Sequence, residues 1–322
     1  MSNGALPRHP PVLAPCDAGA VGPDGREDRY RRHRAWLLKV AFSLTGVGAY
    51  AALIEPQWPQ VTHREIYLTR LPAAWDGLRV AHLTDFHFGD LQPAAIIARG
   101  IDLAVAEAPD IALLTGDFVS RHCHLGTEAL AALRRLTHLP LGAWGVLGNH
   151  DRSVGGDYVA AAVASAGVRV LRNEAHILER ASSGSGLCLA GMDWPRFSLH
   201  HLSPSGWRRW EARLRASLHA ALGCSGPETC CVLLAHAPDV FPLVVEAGVD
   251  LALAGHTHGG QICLPGIGPL RVPVRMGRRY VAGLFRMGAT QMYVSRGIGV
   301  VGLPMRFLCR PEVAVLTLRR GG

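Results

Sequence analysis

The stretch Leu141-Gly-Ala-Trp-Gly-Val-Leu147 is apolar, and Gly148-Asn149-His150-Asp151 follows it at once with an amide, an imidazole and a carboxylate. An apolar run of this length predicts a buried strand, and polar side chains directly after it predict a site at the rim of a sheet. Three more polar clusters follow apolar runs: Thr84-Asp85-Phe86-His87, Thr115-Gly116-Asp117 and Gly255-His256-Thr257-His258-Gly259-Gly260. We therefore expect the fold to be a scaffold that brings these four clusters together.

Strands and helices alternate around these clusters, which predicts an α/β (α+β) domain. The predicted strands are 61–68, 78–84, 111–114, 141–147, 168–171, 176–179, 187–190, 231–234, 249–254, 291–295 and 313–318. The predicted helices are 93–108, 128–136, 157–166, 205–222 and 241–247. The strands between 168 and 190 follow one another without helices, which is typical of an antiparallel or mixed sheet. No internal repeat is present, so residues 55–322 are predicted to form one domain.

Composition limits the classes of partner. The chain is 49% hydrophobic and 18% charged, which indicates a globular protein rather than a disordered one. Its formal charge of +8 comes almost wholly from arginine and favours anionic partners such as phosphorylated substrates or acidic lipids. No zinc-finger spacing, basic helix or aromatic RNA motif is present, so specific nucleic-acid binding is not expected. The eight cysteines form no CxxC pair and are expected to be buried thiols, although export would permit a disulfide among Cys188, Cys224, Cys230 and Cys231.

The N-terminal region has the pattern of a membrane-targeting segment. Residues 1–34 form a basic tail predicted to be disordered, and the apolar run 35–54 is as long as the roughly 20 residues that span a bilayer. A basic flank before such a run predicts a transmembrane helix or signal anchor, with the following domain on the outer or periplasmic side. Two alternatives stay open: cleavage after the Ala49-Tyr50-Ala51 site, and a buried helix of a soluble domain.

The residues in the polar clusters, with His236 after the strand 231–234, predict a metal centre. They offer oxygen ligands from Asp85, Asp117 and Asn149 and imidazole ligands from His87, His236, His256 and His258. Mixed nitrogen and oxygen ligation without cysteine suits Mn, Fe or Zn. Seven ligands are too many for one tetrahedral ion and suit two ions that share a carboxylate. Two such ions can clamp a phosphoryl group and supply a bridging hydroxide that attacks phosphorus.

His150 is the candidate acid for the leaving oxygen, because it adjoins a ligand without being needed as one. Asp151 is predicted to fix its tautomer and raise its basicity. Both residues are therefore catalytic candidates.

The order Asp85-x-His87, Gly116-Asp117, Gly148-Asn149-His150-Asp151, His236 and Gly255-His256-x-His258 resembles the five-block signature of the calcineurin-like metallophosphoesterases. The resemblance implies a four-layer αββα sandwich of two mixed sheets flanked by helices, preceded here by the N-terminal hydrophobic helix. It also implies that Asp85, His87 and His258 hold one metal, that Asn149, His236 and His256 hold the other, and that Asp117 bridges the two. His150 would bind the phosphoryl oxygen or protonate the leaving group.

The resemblance is closest to the bacterial membrane-associated or exported branch typified by YkuE and YaeI. It rests there on Ile54-Glu55-Pro56, Gly259-Gly260-Gln261, Ser295-Arg296-Gly297 and Cys309-Arg310-Pro311-Glu312. Seven arginines that follow the last block of candidate ligands, His256 and His258, stand among apolar residues. They predict a basic C-terminal face, which either contacts anionic lipid headgroups or is only solvated. These residues are Arg271, Arg275, Arg278, Arg279, Arg286, Arg296 and Arg306.

The expected function is that of a dimetal phosphohydrolase of the phosphodiesterase or pyrophosphatase type, with a membrane-linked or lipid phosphoester as substrate. Alternatives within this class are a lipid pyrophosphohydrolase that cleaves UDP-2,3-diacylglucosamine and a nucleotide or generic phosphodiesterase. A metal-binding envelope scaffold without turnover is the alternative from another class, and the complete ligand set with His150 argues against it.

Overall fold

Two six-stranded sheets carry the fold in the computed structural model, which describes residues 46–89, 91–120, 125–180, 186–195, 204–223, 226, 228–274 and 277–321. The first sheet contains β1 (Gln60–Leu68), β2 (Leu78–Leu83), β3 (Ile111–Leu114), β4 (Ala143–Gly145), β5 (Arg169–Val170) and β14 (Glu312–Arg320). Its order is β1-β14-β2-β3-β4-β5, and β2 to β5 run parallel.

The second sheet contains β6 (Glu174–Leu178), β7 (Leu187–Gly191), β8 (Cys231–Leu234), β9 (Leu251–Ala254), β12 (Gly283–Met287) and β13 (Thr290–Val294). Its order is β12-β13-β9-β8-β7-β6, with antiparallel strands at both edges. A small hairpin of β10 (Cys263–Leu264) and β11 (Gly268–Pro269) follows β9 in the chain.

Helices α2 (Ala94–Ala106), α3 (Thr127–Leu136), α4 (Asn149–Ser165), α5 (Pro204–Ala221) and α6 (Phe241–Glu246) cover the outer faces of the two sheets. A short helix, α1 (Gly46–Ala49, continued by a π-helical turn over Tyr50–Ile54), packs apart from them beside Met305. One core joins α2, α3 and α4 to the first sheet, a second lies between the sheets, and a third joins α5 and α6 to the second sheet. The predicted mixed α/β fold with two multistranded sheets is thereby confirmed.

The start of α4 differs from the prediction of a helix over 157–166. The helix begins at Asn149, and Gly155 breaks its backbone with φ of 141°. The reason is local: the Asp151 side chain accepts a hydrogen bond from the Gly148 amide, which caps the first turn. Asn149, His150 and Asp151 are therefore held in a helical turn rather than in a loop.

The predicted membrane segment 35–54 lies outside the described residues over 35–45, as does the basic tail 1–34. Its last residues pack on the domain, because Ala51 and Ala52 are buried beside Met305. Within the described ranges, no helix is both long enough and apolar enough to cross a membrane. Cys188, Cys230 and Cys231 are buried free thiols, so the disulfide considered from the sequence is not formed among these three.

Candidate metal centre

The seven predicted ligands meet at the carboxyl ends of parallel strands from both sheets, the usual place for a site in α/β proteins. Asp85 and His87 follow β2, Asp117 follows β3, Asn149 follows the loop after β4, His236 follows β8, and His256 and His258 follow β9. Backbone hydrogen bonds extend the pairing of two of these loops beyond the strands, from the Asp85 amide to Gly116 and from the His87 amide to Asp117. The ligand-bearing loops are therefore held in register by the sheet itself.

The side chains form two clusters that could each hold an ion. Within each cluster the candidate ligand atoms lie within 4.8 Å of one another; the clusters are Asp85, His87 and His258, and Asp117, His236 and His256. A third group with the same spacing, His87, Asp117 and His150, shares one residue with each of them. Oδ2 of Asp117 lies 3.6 Å from Nε2 of His87 and 3.3 Å from Nε2 of His236. Asp117 thus stands between the clusters, where a shared carboxylate would be expected.

Hydrogen bonds around the second cluster fix which ring nitrogens carry protons. Nδ1 of His236 donates to the Thr115 carbonyl at 2.8 Å, and Nε2 of His256 donates to the Pro273 carbonyl at 3.0 Å. In the neutral rings the lone pairs therefore sit on the inner nitrogens, which lie 3.0 Å apart. The inner Nε2 of His236 also faces Oδ1 of Asn149 at 2.9 Å. Imidazole nitrogens and a side-chain oxygen held this close together are donors that fit a divalent metal.

The first cluster also brings imidazole nitrogens and a carboxylate close together. Nε2 of His87 and Nε2 of His258 lie 3.0 Å apart, and Nε2 of His258 lies 3.4 Å from Oδ1 of Asp85. Nδ1 of His87 is hydrogen-bonded to the Ser120 hydroxyl at 2.9 Å, which orients the ring. The Ser120 contact leaves the inner nitrogen directed at its neighbours, as metal ligands generally are.

Burial and charge set the protonation states of the cluster. Burial lowers the pKa of His87 and of His256 to about 3 and lowers that of His258, so these imidazoles are neutral, as a metal ligand must be. Burial raises the pKa of Asp85 to about 7. For His236, burial favours the neutral ring, but the Asp117 carboxylate outweighs it and raises the pKa to about 9. The pairing with His236, despite burial, holds the pKa of Asp117 low, so this carboxylate is charged.

The backbone of the ligand loops is strained. Five ligands have left-handed backbone torsions: Asp85 (φ 54°), His87 (φ 50°), Asp117 (φ 54°), His256 (φ 69°) and His258 (φ 51°). Such torsions cost about 1–3 kcal/mol each and cluster at functional sites. Gly148 permits close approach, because a Cβ there would collide with the Asp117 carboxylate, and Gly255 has the same relation to Asp85. These glycines are thus needed for close contact between the ligand loops.

His150 and Asp151 differ from the predicted arrangement. The carboxylate of Asp151 is buried and accepts from the amides of Gly148 at 2.9 Å and Val119 at 3.0 Å. Burial raises the pKa of this carboxyl to about 7, with the Asp117 charge adding to the effect. Nδ1 of His150 is buried without a hydrogen-bond partner among the described residues. The predicted support of the His150 ring by Asp151 is not found, because no hydrogen bond joins the two side chains and the carboxylate accepts from backbone amides instead.

His150 nevertheless lies where a proton donor is needed. Its amide donates to Oδ1 of Asp117 at 2.9 Å, and its ring packs edge-on against His87 with centroids 4.9 Å apart. The ring also lines the pocket above the clusters. Its ring is thus close both to the pocket and to His87 and Asp117, with which it forms the third group of candidate ligand atoms.

The pocket over the clusters has a volume of about 830 Å³. Its lining joins the polar residues of the site to an apolar wall made by Ile262, Leu270, Pro273, Val301 and Leu303. Arg152, Arg271 and Trp194 also line it, and Nη1 of Arg152 donates to Asp193 at 2.9 Å. The pocket can therefore take an anionic group at the clusters and an apolar group beside it.

Arg306, predicted to belong to a basic C-terminal face, is instead fully buried. Its guanidinium donates to five backbone carbonyls: His258 (3.4 Å), Cys309 (3.0 Å), Arg296 (2.9 Å), Gly297 (3.2 Å) and Gly299 (2.6 Å). Arg296 is half-buried and pairs with Glu312, and Arg275 lies outside the described residues. The predicted face is thus reduced to the exposed Arg271, Arg278, Arg279 and Arg286.

Several contributors were missed from the sequence. The orienting groups for the histidines are the Ser120 hydroxyl and the carbonyls of Thr115 and Pro273, and backbone carbonyls carry no sequence signal. Arg152 could have been noticed, because it directly follows the Gly148–Asp151 block. Trp194 lies in the pocket with its ring 6.0 Å from that of His256, yet it is one of seven tryptophans and has no distinguishing motif.

The fold and this cluster of carboxylates, amide and imidazoles define a metal-dependent hydrolase of phosphoric esters. The chain belongs to the calcineurin-like phosphoesterase family, whose profile matches residues 78–260. It is 31% identical to the uncharacterized metallophosphoesterase YkuE of Bacillus subtilis, over 89% of this chain and 97% of that protein. It is 29% identical to the phosphodiesterase YaeI of Escherichia coli, over 84% of this chain and 92% of that one. A transmembrane protein with a metallophosphoesterase domain from Bos taurus is 29% identical over 93% of this chain and 65% of its own length.

Proposed function

We propose that this protein is a phosphodiesterase that binds two divalent metal ions through the seven predicted ligands. The inner ring nitrogens of His236 and His256, 3.0 Å apart and each oriented by a backbone carbonyl on the other side of its ring, are the observation that carries the proposal. Manganese, iron or zinc suits these donors. When bound, two such ions would polarise the phosphoryl group and activate a water molecule for attack on phosphorus.

The chain's own residues would then complete the reaction. Asp117 holds the two clusters together, and Asn149 orients the second cluster through its side-chain oxygen. His150 binds the phosphoryl oxygen or protonates the leaving oxygen, since its ring lines the pocket and Asp151 leaves it free. Asp151 acts on this site only by fixing the backbone of residues 148 and 119.

The proposed substrate is a phosphodiester that carries an apolar group, such as a membrane-linked phospholipid. The apolar wall beside Arg152 and Arg271 supports this choice, because it offers contact surface for a lipid part and cations for a phosphate. The name of YaeI supports diester hydrolysis, and the name of the Bos taurus relative supports attachment to a membrane. Attachment would be through the segment 35–54, with the domain on the outer side.

Hydrolysis of bis(p-nitrophenyl) phosphate by the purified full chain tests the mechanism. In His150→Ala we expect kcat to fall by about 10²–10⁴-fold and metal content to change less than turnover, since this residue is assigned to proton transfer. In Asn149→Ala we expect both activity and metal content to fall. The control is His138→Ala, an exposed histidine on another surface. Wild-type turnover by both site variants would contradict the proposed mechanism.

A further inference from the structure

Large apolar side chains are exposed on three neighbouring segments beside the pocket. We define the apolar rim as Leu53, Ile54, Ile267, Leu270, Leu303 and Leu308, which are between 37% and 57% exposed. Eleven large apolar side chains are exposed in the part of the chain that the structure describes, so more than half of them belong to the rim. Such a concentration marks an interaction surface rather than scattered exposure.

Direct contacts join the first two segments of the rim. The amide of Arg306 donates to the Ala51 carbonyl at 2.9 Å, and the rings of Tyr50 and Phe307 pack edge-to-face. The Glu55 carboxylate, which is fully buried, accepts from the amide of Leu308 at 2.9 Å. The end of the N-terminal helical turn and the loop 301–308 therefore form one surface.

The third segment, the β10–β11 hairpin, is joined to the same loop. The amide of Cys263 donates to the Phe307 carbonyl at 2.9 Å, and the side chain of Gln261 donates to the Leu303 carbonyl at 3.2 Å. Leu270 and Leu303 belong both to the rim and to the pocket lining. The rim thus continues into the apolar wall of the pocket.

Cations flank the rim. Arg271 is exposed, follows Leu270 in the chain and lines the pocket. Arg278 is exposed, and its Nη1 donates to the carbonyl of Ile267 at 3.0 Å. Exposed apolar side chains beside arginines suit the interface of a bilayer that contains anionic lipids.

The position of the rim in the chain also favours a bilayer over a second copy of the protein. The apolar run 35–54 ends at Leu53 and Ile54, which are rim residues, and the arginine-rich stretch 26–34 precedes that run. We propose that the apolar rim is embedded in the interfacial layer of a lipid bilayer containing anionic lipids, so that the pocket opens towards the bilayer. This inference rests on the proposed function for the nature of the substrate, but the lipid contact can be tested without hydrolysis.

The test places a photo-crosslinking residue on the rim of the full chain, reconstituted into vesicles of phosphatidylcholine and phosphatidylglycerol. The variants are Ile267→p-benzoylphenylalanine and Leu308→p-benzoylphenylalanine, because neither residue lines the pocket. The matched control is Tyr67→p-benzoylphenylalanine, an aromatic side chain that is 50% exposed. Tyr67 pairs with Arg319, which lies next to the start of β2. The metal centre follows the end of β2, so Tyr67 lies at the opposite end of the sheet from the metal centre.

After irradiation, mass spectrometry should find phospholipid adducts at positions 267 and 308 at least about tenfold above those at position 67. Adduct yields equal to the control would overturn the proposal. Crosslinks between two copies of the chain in place of lipid adducts would also overturn it, since the rim would then be a protein interface. Loss of diester hydrolysis with lipid adducts intact would instead contradict the proposed function alone.

Discussion

The ligand loops and the segment 296–312 approach the metal centre from two sides and contribute in opposite ways. The ligand loops supply side chains, and their strained backbone directs these side chains into two clusters. The segment 296–312 supplies no candidate ligand, but it holds the backbone of two ligand loops. The amide of Gly299 donates to the Asp85 carbonyl at 2.7 Å, and Arg306 donates to the His258 carbonyl at 3.4 Å.

We infer that contacts from the segment 296–312 offset the backbone strain in the ligand loops. Left-handed torsions persist only where the surrounding structure determines them. The clamp formed by Arg306 and the buried Glu55 ties the N-terminal helical turn, the loop 306–309 and the His258 loop together. Substitutions of Arg306 and of Glu55 test whether these contacts stabilise the ligand loops.

The larger effect is expected for Arg306→Met, which should lower the free energy of unfolding by about 3 kcal/mol. Five carbonyls lose charge-assisted hydrogen bonds, the recovered desolvation of the guanidinium offsets part of that loss, and removing one partner of a buried charged contact costs about 3–5 kcal/mol. Urea unfolding of the full chain in detergent measures the change. Arg310→Met is the matched control, because Arg310 is half-buried and contacts the Trp58 ring and carbonyl at the edge of the domain. Equal losses in both variants would show that the carbonyl contacts of Arg306 carry no special weight.

A smaller effect is expected for Glu55→Gln, which should lower the free energy of unfolding by about 1–2 kcal/mol. The carboxylate accepts from the amides of Leu308 and Cys309, and a glutamine nitrogen cannot accept from either of them. The comparison is Glu65→Gln, because Glu65 pairs with Arg319 on the surface, where such pairs contribute at most about 1 kcal/mol. If Glu55→Gln is as stable as wild type, the buried carboxylate does not tie the helical turn to the loop 306–309.

The ligand loops could be predicted from the sequence because their signal is local. A carboxylate, an amide or an imidazole directly after an apolar run indicates that the residue lies at the end of a strand. All seven predicted residues meet at such strand ends. The alternation of apolar runs and helices predicted the α/β domain, and the family resemblance implied its two sheets. What these residues bind remains a prediction.

The clamp could not be predicted, because the partners of its side chains are backbone groups far away in the chain. Glu55 meets an amide 253 residues later, and Arg306 meets a carbonyl 48 residues earlier. Residue type alone placed Arg306 on a basic surface. It likewise paired Asp151 with its neighbour His150, although the helix start at Asn149 directs Asp151 to the backbone. Pairings of this kind are decided by the packed fold.

The most direct test of the dimetal site is the metal content of the purified full chain, loaded with Mn²⁺, freed of excess ion and measured by mass spectrometry. The geometry of the two clusters predicts about two ions per chain in wild type and a clear loss in His236→Ala. Fewer than about one ion per chain in wild type, or an unchanged content in His236→Ala, would contradict the metal centre described above.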